Sequence, residues 1–290
     1  MDECRMSDTP RVLLVGYGDI ACRLTPLLLD RGFAVTGMRR HPERAQLPEL
    51  HEHSPQFTLV QGDAARVEDW HRIWAEGPYD VIIFTLTPTS YDEFGYQQGY
   101  IAPLRAMLAA AGDFDAEALP VICYVSSTAV YGERNGEWVN EETPAQPSGF
   151  SGRILLEAEN LVLHSGFPGI VIRASGIYGP GRERMQQSIL DGTYTVTPAW
   201  TNRIHADDLA RAIEHLVLMR LADIEMDSVY LATDSEPLQA EEYVQRVAAK
   251  LGVDASQLPR SDRIGPRGSK RLSNQRLLDT GFEFLHPSAR

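Results

Sequence analysis

The residues best placed to do chemistry come early. The run "VLLVGYGDIACRLTPLLLDRG" spaces Gly16, Gly18 and Ala21 as G-x-G-x-x-A between a short apolar stretch and a segment of helical period. A first glycine permits a tight turn, a second lets a pyrophosphate approach bare backbone, and a small third residue lets helix and strand pack closely. The opening helical N–H groups, at Asp19 and Ile20, then face the anion. A lone G-x-G is also compatible with an ordinary glycine turn. Its place at the end of the first strand of an alternating pattern favours dinucleotide binding.

About 20 residues after such a turn, a site for NAD carries an acid that holds the ribose 2′-hydroxyl. Here that place reads "GMRRH", with Arg39 and Arg40 and no carboxylate. Two guanidinium forks match the charge and acceptors of a 2′-phosphate. NADP is therefore the expected cofactor, with NAD left open and a solvated loop as the bland reading of the pair. Asp63, closing "QGD", is a weaker expected contact to the adenine, since Gly-Asp is also a common turn.

Elements that could position these residues follow one another in a strand–helix rhythm. "RVLLVG", "AVTGM", "FTLVQGD", "DVIIFTL", "PVICYVSS" and "GIVIRASG" read as strands separated by helical segments, which signals βαβ units and an α/β, doubly wound parallel sheet. Residues 1–10 read as a loose polar tail and 11–177 as the dinucleotide-binding Rossmann core. A late strand near 228–234 returns to that core, and 178–290 is mainly a smaller C-terminal substrate lobe. No internal repeat is present.

Composition narrows the class. The 290 residues are 43% hydrophobic and 23% charged, ample for a large core, and the net charge of −13 with no basic run argues against nucleic acid. Three cysteines without ligand spacing fit reduced thiols, and no 18-residue apolar stretch or signal-peptide pattern occurs, so no membrane partner is expected and a cytoplasmic location is. His51 and His53 in "HEH" lack further ligands at metal spacing, and no metal is expected.

Three segments in series, "GYGDIA", "YVSSTAVYG" and "IRASGIYGPGR" followed by "NRIHADDLARAI", resemble the extended short-chain dehydrogenase/reductases, the NAD(P)-dependent sugar-nucleotide epimerases and dehydratases. The resemblance spans roughly residues 11–234. It implies that Ser127 hydrogen-bonds a substrate oxygen beside the nicotinamide, with Ser126 and Thr128 as alternatives if the register slips. It also implies a Tyr-x-x-x-Lys pair for proton exchange, but the matching stretch "PSGFSGRILLEAE" puts Gly149 at the tyrosine position and Arg153 at the lysine position. Shifting by one brings Phe150 and Ile154, which is no better.

That departure resembles the atypical members of the family. Arg153 could still hold the ribose, although it cannot titrate near neutral pH. Tyr131, Tyr178, Tyr91, Tyr96 and His205 are candidate replacement acids, with packing the competing role for Tyr131 and Tyr178 and a fold-bracing role for His205. Arg173, Arg182 and Arg203 could clamp a diphosphate, and a brace from Arg203 to Asp207 or Asp208 is the alternative. The expectation is an NADP-favouring oxidoreductase or epimerase/dehydratase-like enzyme acting on a small polar or nucleotide-sugar substrate. Its alternative is a noncatalytic NADP-binding sensor or scaffold. The helices in 100–112 and 153–166 carry enough apolar surface for a homodimer, a pattern that core packing explains equally.

Overall fold

The computed structural model describes residues 9–45, 54–112 and 119–289. Most of the expected N-terminal tail, and His51 and His53, lie outside the described residues. Seven strands form one parallel sheet: β1 (Arg11–Val15), β2 (Ala34–Arg39), β3 (Phe57–Gln61), β4 (Val81–Phe84), β5 (Val121–Ser127), β6 (Gly169–Ala174) and β7 (Val229–Ala232). Their spatial order is β7-β6-β5-β4-β1-β2-β3, so the winding reverses between β1 and β4. Ligands of open α/β sheets bind at the carboxyl ends of the strands where that reversal opens a crevice.

Central strands covered on both faces should be apolar throughout, and β1 and β4 are: Val12 to Val15 and Val81 to Phe84 are all completely buried. Register brings their ends level, since Val15 pairs with Met38 on one side and Phe84 on the other. The turn after β1 therefore emerges beside the ends of β2 and β4.

Flanking helices are α1 (Asp19–Asp30), α2 (Val67–Ala75), α3 (Ala102–Ala110) and α4 (Phe150–Leu163). In α1 the buried residues Ile20, Leu24 and Leu28 recur every four positions and seat the helix on the sheet. The chain then bends at Gly32, whose φ of 83° lies in the left-handed region. The helix expected before β5 begins with one turn at Glu93–Tyr96, widens into a π segment at Gln97–Ile101, and only then becomes α3. Pro103 accounts for part of this, because it has no N–H to offer a carbonyl four residues back.

Later helices are α5 (Arg184–Leu190), α6 (Ala206–Leu221), α7 (Ala240–Leu251) and α8 (Gln275–Asp279). Two compact units emerge. One gathers the described residues up to Ser126 with Ile154–Ile172 and Ala210–Val229; the other gathers Ser127–Arg153, Arg173–Leu209 and the described residues from Tyr230 onward. The sequence suggested a cut near residue 178 with a late strand near 228–234 returning to the core; by compactness the chain crosses between units several times. Inside the second unit, Gly176–Tyr178 pairs in parallel with Arg203–His205, Glu137–Val139 in parallel with Lys270–Leu272, and Trp200–Thr201 in antiparallel with Leu238–Gln239. Among the described residues no helix is long and apolar enough to cross a membrane.

Candidate functional site

In the first unit the turn after β1 is held by backbone on two sides. The amides of Gly16 and Tyr17 both donate to Met38 O, at 3.1 and 3.0 Å, and Thr85 Oγ1 at the end of β4 donates to Gly16 O at 3.0 Å. Gly16 has φ 85°, and a Cβ there would stand 2.7 Å from Leu86 Cδ2 and 3.2 Å from Leu86 Cα. The first glycine is thus demanded by the protein itself.

Gly18 is different. It caps α1 in an extended conformation that any residue can adopt, and a Cβ would meet nothing nearer than Gly16 O at 3.7 Å. No protein atom asks for a glycine here, so the bare backbone leaves room for something from outside. No side chain caps the helix, and its first intrahelical bond is Cys22 N to Gly18 O at 2.8 Å. The earlier amides face outward, as a diphosphate requires. Asp19 is drawn aside into an ion pair with Arg23 at 2.8 Å, while Ile20 is buried.

Arg39 ends β2 immediately after the carbonyl that holds the turn. It is half-buried and Arg40 exposed, and neither side chain has a hydrogen-bond or ion-pair partner among the described residues. Asp63 serves its own loop, where its Oδ1 accepts from Ala65 N at 3.1 Å and its amide donates to Asp69 Oδ2 at 2.8 Å. The glycine turn and the two arginines fit the phosphate groups of a dinucleotide.

The second unit holds the other expected residues except Tyr91, Tyr96 and Ser126, which belong to the first. Ser127 Oγ accepts from Ala129 N at 3.2 Å and caps the short turn Thr128–Val130, which leaves the hydroxyl proton available to an outside oxygen. Gly152, in the first turn of α4, lies directly against that turn; a Cβ would meet Ala129 O, and Pro147 Cβ at 2.6 Å. This contact seats Gly149 and Arg153 near Ser127. A Cβ at Gly149 would find only Ser151 Oγ at 3.9 Å, so the phenol position is open space, and Arg153 is exposed.

Tyr131 does not replace the missing phenol. It is 2% exposed, donates to Asn140 O at 2.9 Å and accepts from Arg173 Nη1 at 2.6 Å, so its hydroxyl already has a donor and an acceptor inside the protein. Arg173 is buried with it, its guanidinium 5.0 Å above the Tyr131 ring, and is a brace rather than a diphosphate clamp. Tyr178 OH donates to Ser288 O at 3.3 Å, and Arg182 is half-buried. Arg203 lies 4.4 Å over the Tyr243 ring and leaves its Nε buried without a partner. Asp208 does not pair with it, but accepts from the amides of Leu285 and His286, each at 2.8 Å.

Sequence reading missed Thr85, Leu86 and a buried pair at the end of β5. Ser126 Oγ donates to Glu159 Oε1 at 2.6 Å, with Glu159 fully buried in α4. Only the apolar neighbours of Glu159 hinted at this.

Asp234 was missed as well. It is 1% exposed with Oδ2 unpartnered, and burial pushes its carboxyl up to about 7. A carboxyl raised on folding binds more protons folded than unfolded between those two values, so stability falls as pH rises through that window. Asp234→Asn carries no charge to bury. Its melting temperature should match wild type below about pH 4, exceed it increasingly up to about pH 7 and then keep a constant lead. Parallel melting curves across that range would remove the assignment.

A strand, a glycine turn braced from both neighbouring strands and an uncapped helix define a dinucleotide-binding protein of the Rossmann class. The chain belongs to the NAD(P)H-binding family, which matches residues 16–218. It is 31% identical to a Methylobacillus flagellatus structure described as a candidate NAD-dependent epimerase/dehydratase, with 97% of this chain and 95% of that one covered and a TM-score of 0.76. Protein YeeZ of Escherichia coli (strain K12) is 28% identical over 289 residues, 96% of each chain. The fold also matches dTDP-glucose 4,6-dehydratase of Bacillus anthracis in complex with NAD, at TM-score 0.77 and 17% identity over 96% of this chain and 92% of that one. A nicotinamide dinucleotide is thus the cofactor class, and the general function is NAD(P)-dependent and oxidoreductase-like.

Proposed function

We propose that the chain is an NADP-preferring oxidoreductase or epimerase/dehydratase-like enzyme for a small polar or nucleotide-sugar substrate. One observation carries the cofactor half: two arginines without ion-pair partners among the described residues, Arg39 at the end of the strand that holds the phosphate turn and Arg40 just after it, stand where an NAD site has an acid. The backbone amides after Gly18 hold the diphosphate and the guanidinium forks hold the 2′-phosphate. The bound nicotinamide supplies hydride chemistry; Ser127 offers its hydroxyl proton to a substrate oxygen.

Calorimetric titration of the apo chain with NADPH and with NADH tests the first half, with NADPH expected to bind more tightly. For the second, Ser127→Ala should lower kcat/KM about tenfold, the worth of one hydrogen bond, and leave NADPH affinity unchanged. Unaltered turnover would remove Ser127 from the site.

A second reading, a noncatalytic NADP sensor, draws on the open space at Gly149 and the occupied hydroxyl of Tyr131. It is preferred if NADPH binds but is consumed with no carbonyl compound or nucleotide sugar.

A further inference from the structure

Within the second unit the parallel pairing of Glu137–Val139 with Lys270–Leu272 brings Trp138 level with Arg271. Side chains alternate along a strand, so these two share one face, while Val139, Lys270 and Leu272 turn to the other and are buried. Trp200 joins them from the segment Trp200–Thr201, held by its amide donating to Ser269 Oγ at 3.0 Å. Gly136 makes room for its indole: a Cβ there would stand 2.7 Å from Trp200 Nε1. The three side chains form one surface, with the Arg271 guanidinium carbon 5.0 Å from the ring centroid of each indole.

The polar groups of these three side chains are all donors. Arg271 Nε is spent on Gly136 O at 2.8 Å, which fixes the guanidinium and leaves its two Nη groups with no hydrogen-bond or ion-pair partner among the described residues. Both indole N–H groups are likewise unpartnered among them. Glu137 lies on the opposite strand face, and its carboxylate accepts from Asn135 N at 2.8 Å and Asn135 Nδ2 at 2.9 Å. Positive charge gathers alongside. The loop before Lys270 carries Arg263 and Arg267, and Arg134 joins it by donating to Ile264 O at 2.7 Å; none of the three has an ion-pair partner among the described residues. Asp262 is the sole acid between Arg260 and Arg276, in a chain whose net charge is −13.

We propose that Trp138, Trp200 and Arg271 bind a phosphate monoester carried on a planar ring. Trp138 is 58% exposed and gives the ring a face to stack on, an interaction that tolerates any hydrogen-bonding edge. The end-on guanidinium fork takes two phosphate oxygens. Phosphate fits better than carboxylate because it keeps a third oxygen for an indole N–H once the fork has taken two. A long polyanion is disfavoured by the overall charge of −13, which limits the ligand to a small molecule. A nucleotide and an aryl phosphate share this chemistry. The reading stands independently of the NADP assignment.

The test is calorimetric titration of the full-length chain with uridine 5′-monophosphate and with phenyl phosphate, using uridine and inorganic phosphate as controls. At least one of the ring phosphates should bind about tenfold or more tightly than either control, and which of them does so tells the source of the ring. Trp138→Ala and Arg271→Gln should each weaken that binding about tenfold or more. Trp138 is exposed, so its replacement reports even if Arg271→Gln disturbs the fold. No binding of either ring phosphate, inorganic phosphate bound as tightly as both, or binding that survives both substitutions overturns the site.

Discussion

Gly18→Ala should leave the melting temperature of the chain unchanged and lower NADPH affinity on the order of 100-fold or more, the loss of two or so charge-assisted hydrogen bonds. The extended backbone at this position accepts alanine, and the new Cβ meets no protein atom closer than 3.7 Å. It occupies the space a diphosphate must enter. Gly16→Ala serves as contrast, since there the left-handed φ of 85° and Leu86 both resist a side chain. That variant should lose about 1–2 kcal/mol from the backbone alone and melt several degrees lower even without ligand. Calorimetry with paired thermal melts reads both. If Gly18→Ala binds NADPH as wild type does, the space beside Gly18 is not the diphosphate site.

The sheet was legible because each of its strands announces itself locally as a short apolar run, ended in all but β5 by a glycine, a proline or a charged turn. Even the returning strand, "SVYLATD", has this form, and it became β7. What sequence order could not convey was which segments share a compact unit. Residues 127–153 belong with the chain's C-terminal part because Lys270–Leu272 pairs with Glu137–Val139, and buried Lys270 Nζ donates to Tyr131 O at 2.8 Å. Contacts between segments so far apart in the chain leave no periodicity to read.

The site divides along the same line. The places of Gly16, Gly18 and Arg39 at the ends of β1 and β2 were readable because they follow from a spacing between adjacent elements. Tyr131 was misleading for the opposite reason: its partners Asn140 and Arg173 lie on separate segments, and only folding shows that both use its hydroxyl. Ser127 kept both of its readings, since capping consumes its lone pair and leaves its proton.

The joint substitution of Arg39 and Arg40 by alanine should leave NADPH and NADH bound about equally, against the tighter NADPH binding proposed for the wild type. Each guanidinium hydrogen bond to a phosphate is worth about 1.5–3 kcal/mol, so the pair together should account for a loss on the order of 100-fold or more in NADPH affinity. NADH carries no 2′-phosphate, and its affinity should change little. Stability should not suffer, because neither side chain has a hydrogen-bond or ion-pair partner among the described residues to lose. Salt separates this from an indirect effect: the wild-type preference for NADPH should shrink as ionic strength rises, while the double variant's ratio stays flat. An NADPH-to-NADH ratio that the substitutions leave intact would place recognition of the ribose elsewhere than at the end of β2.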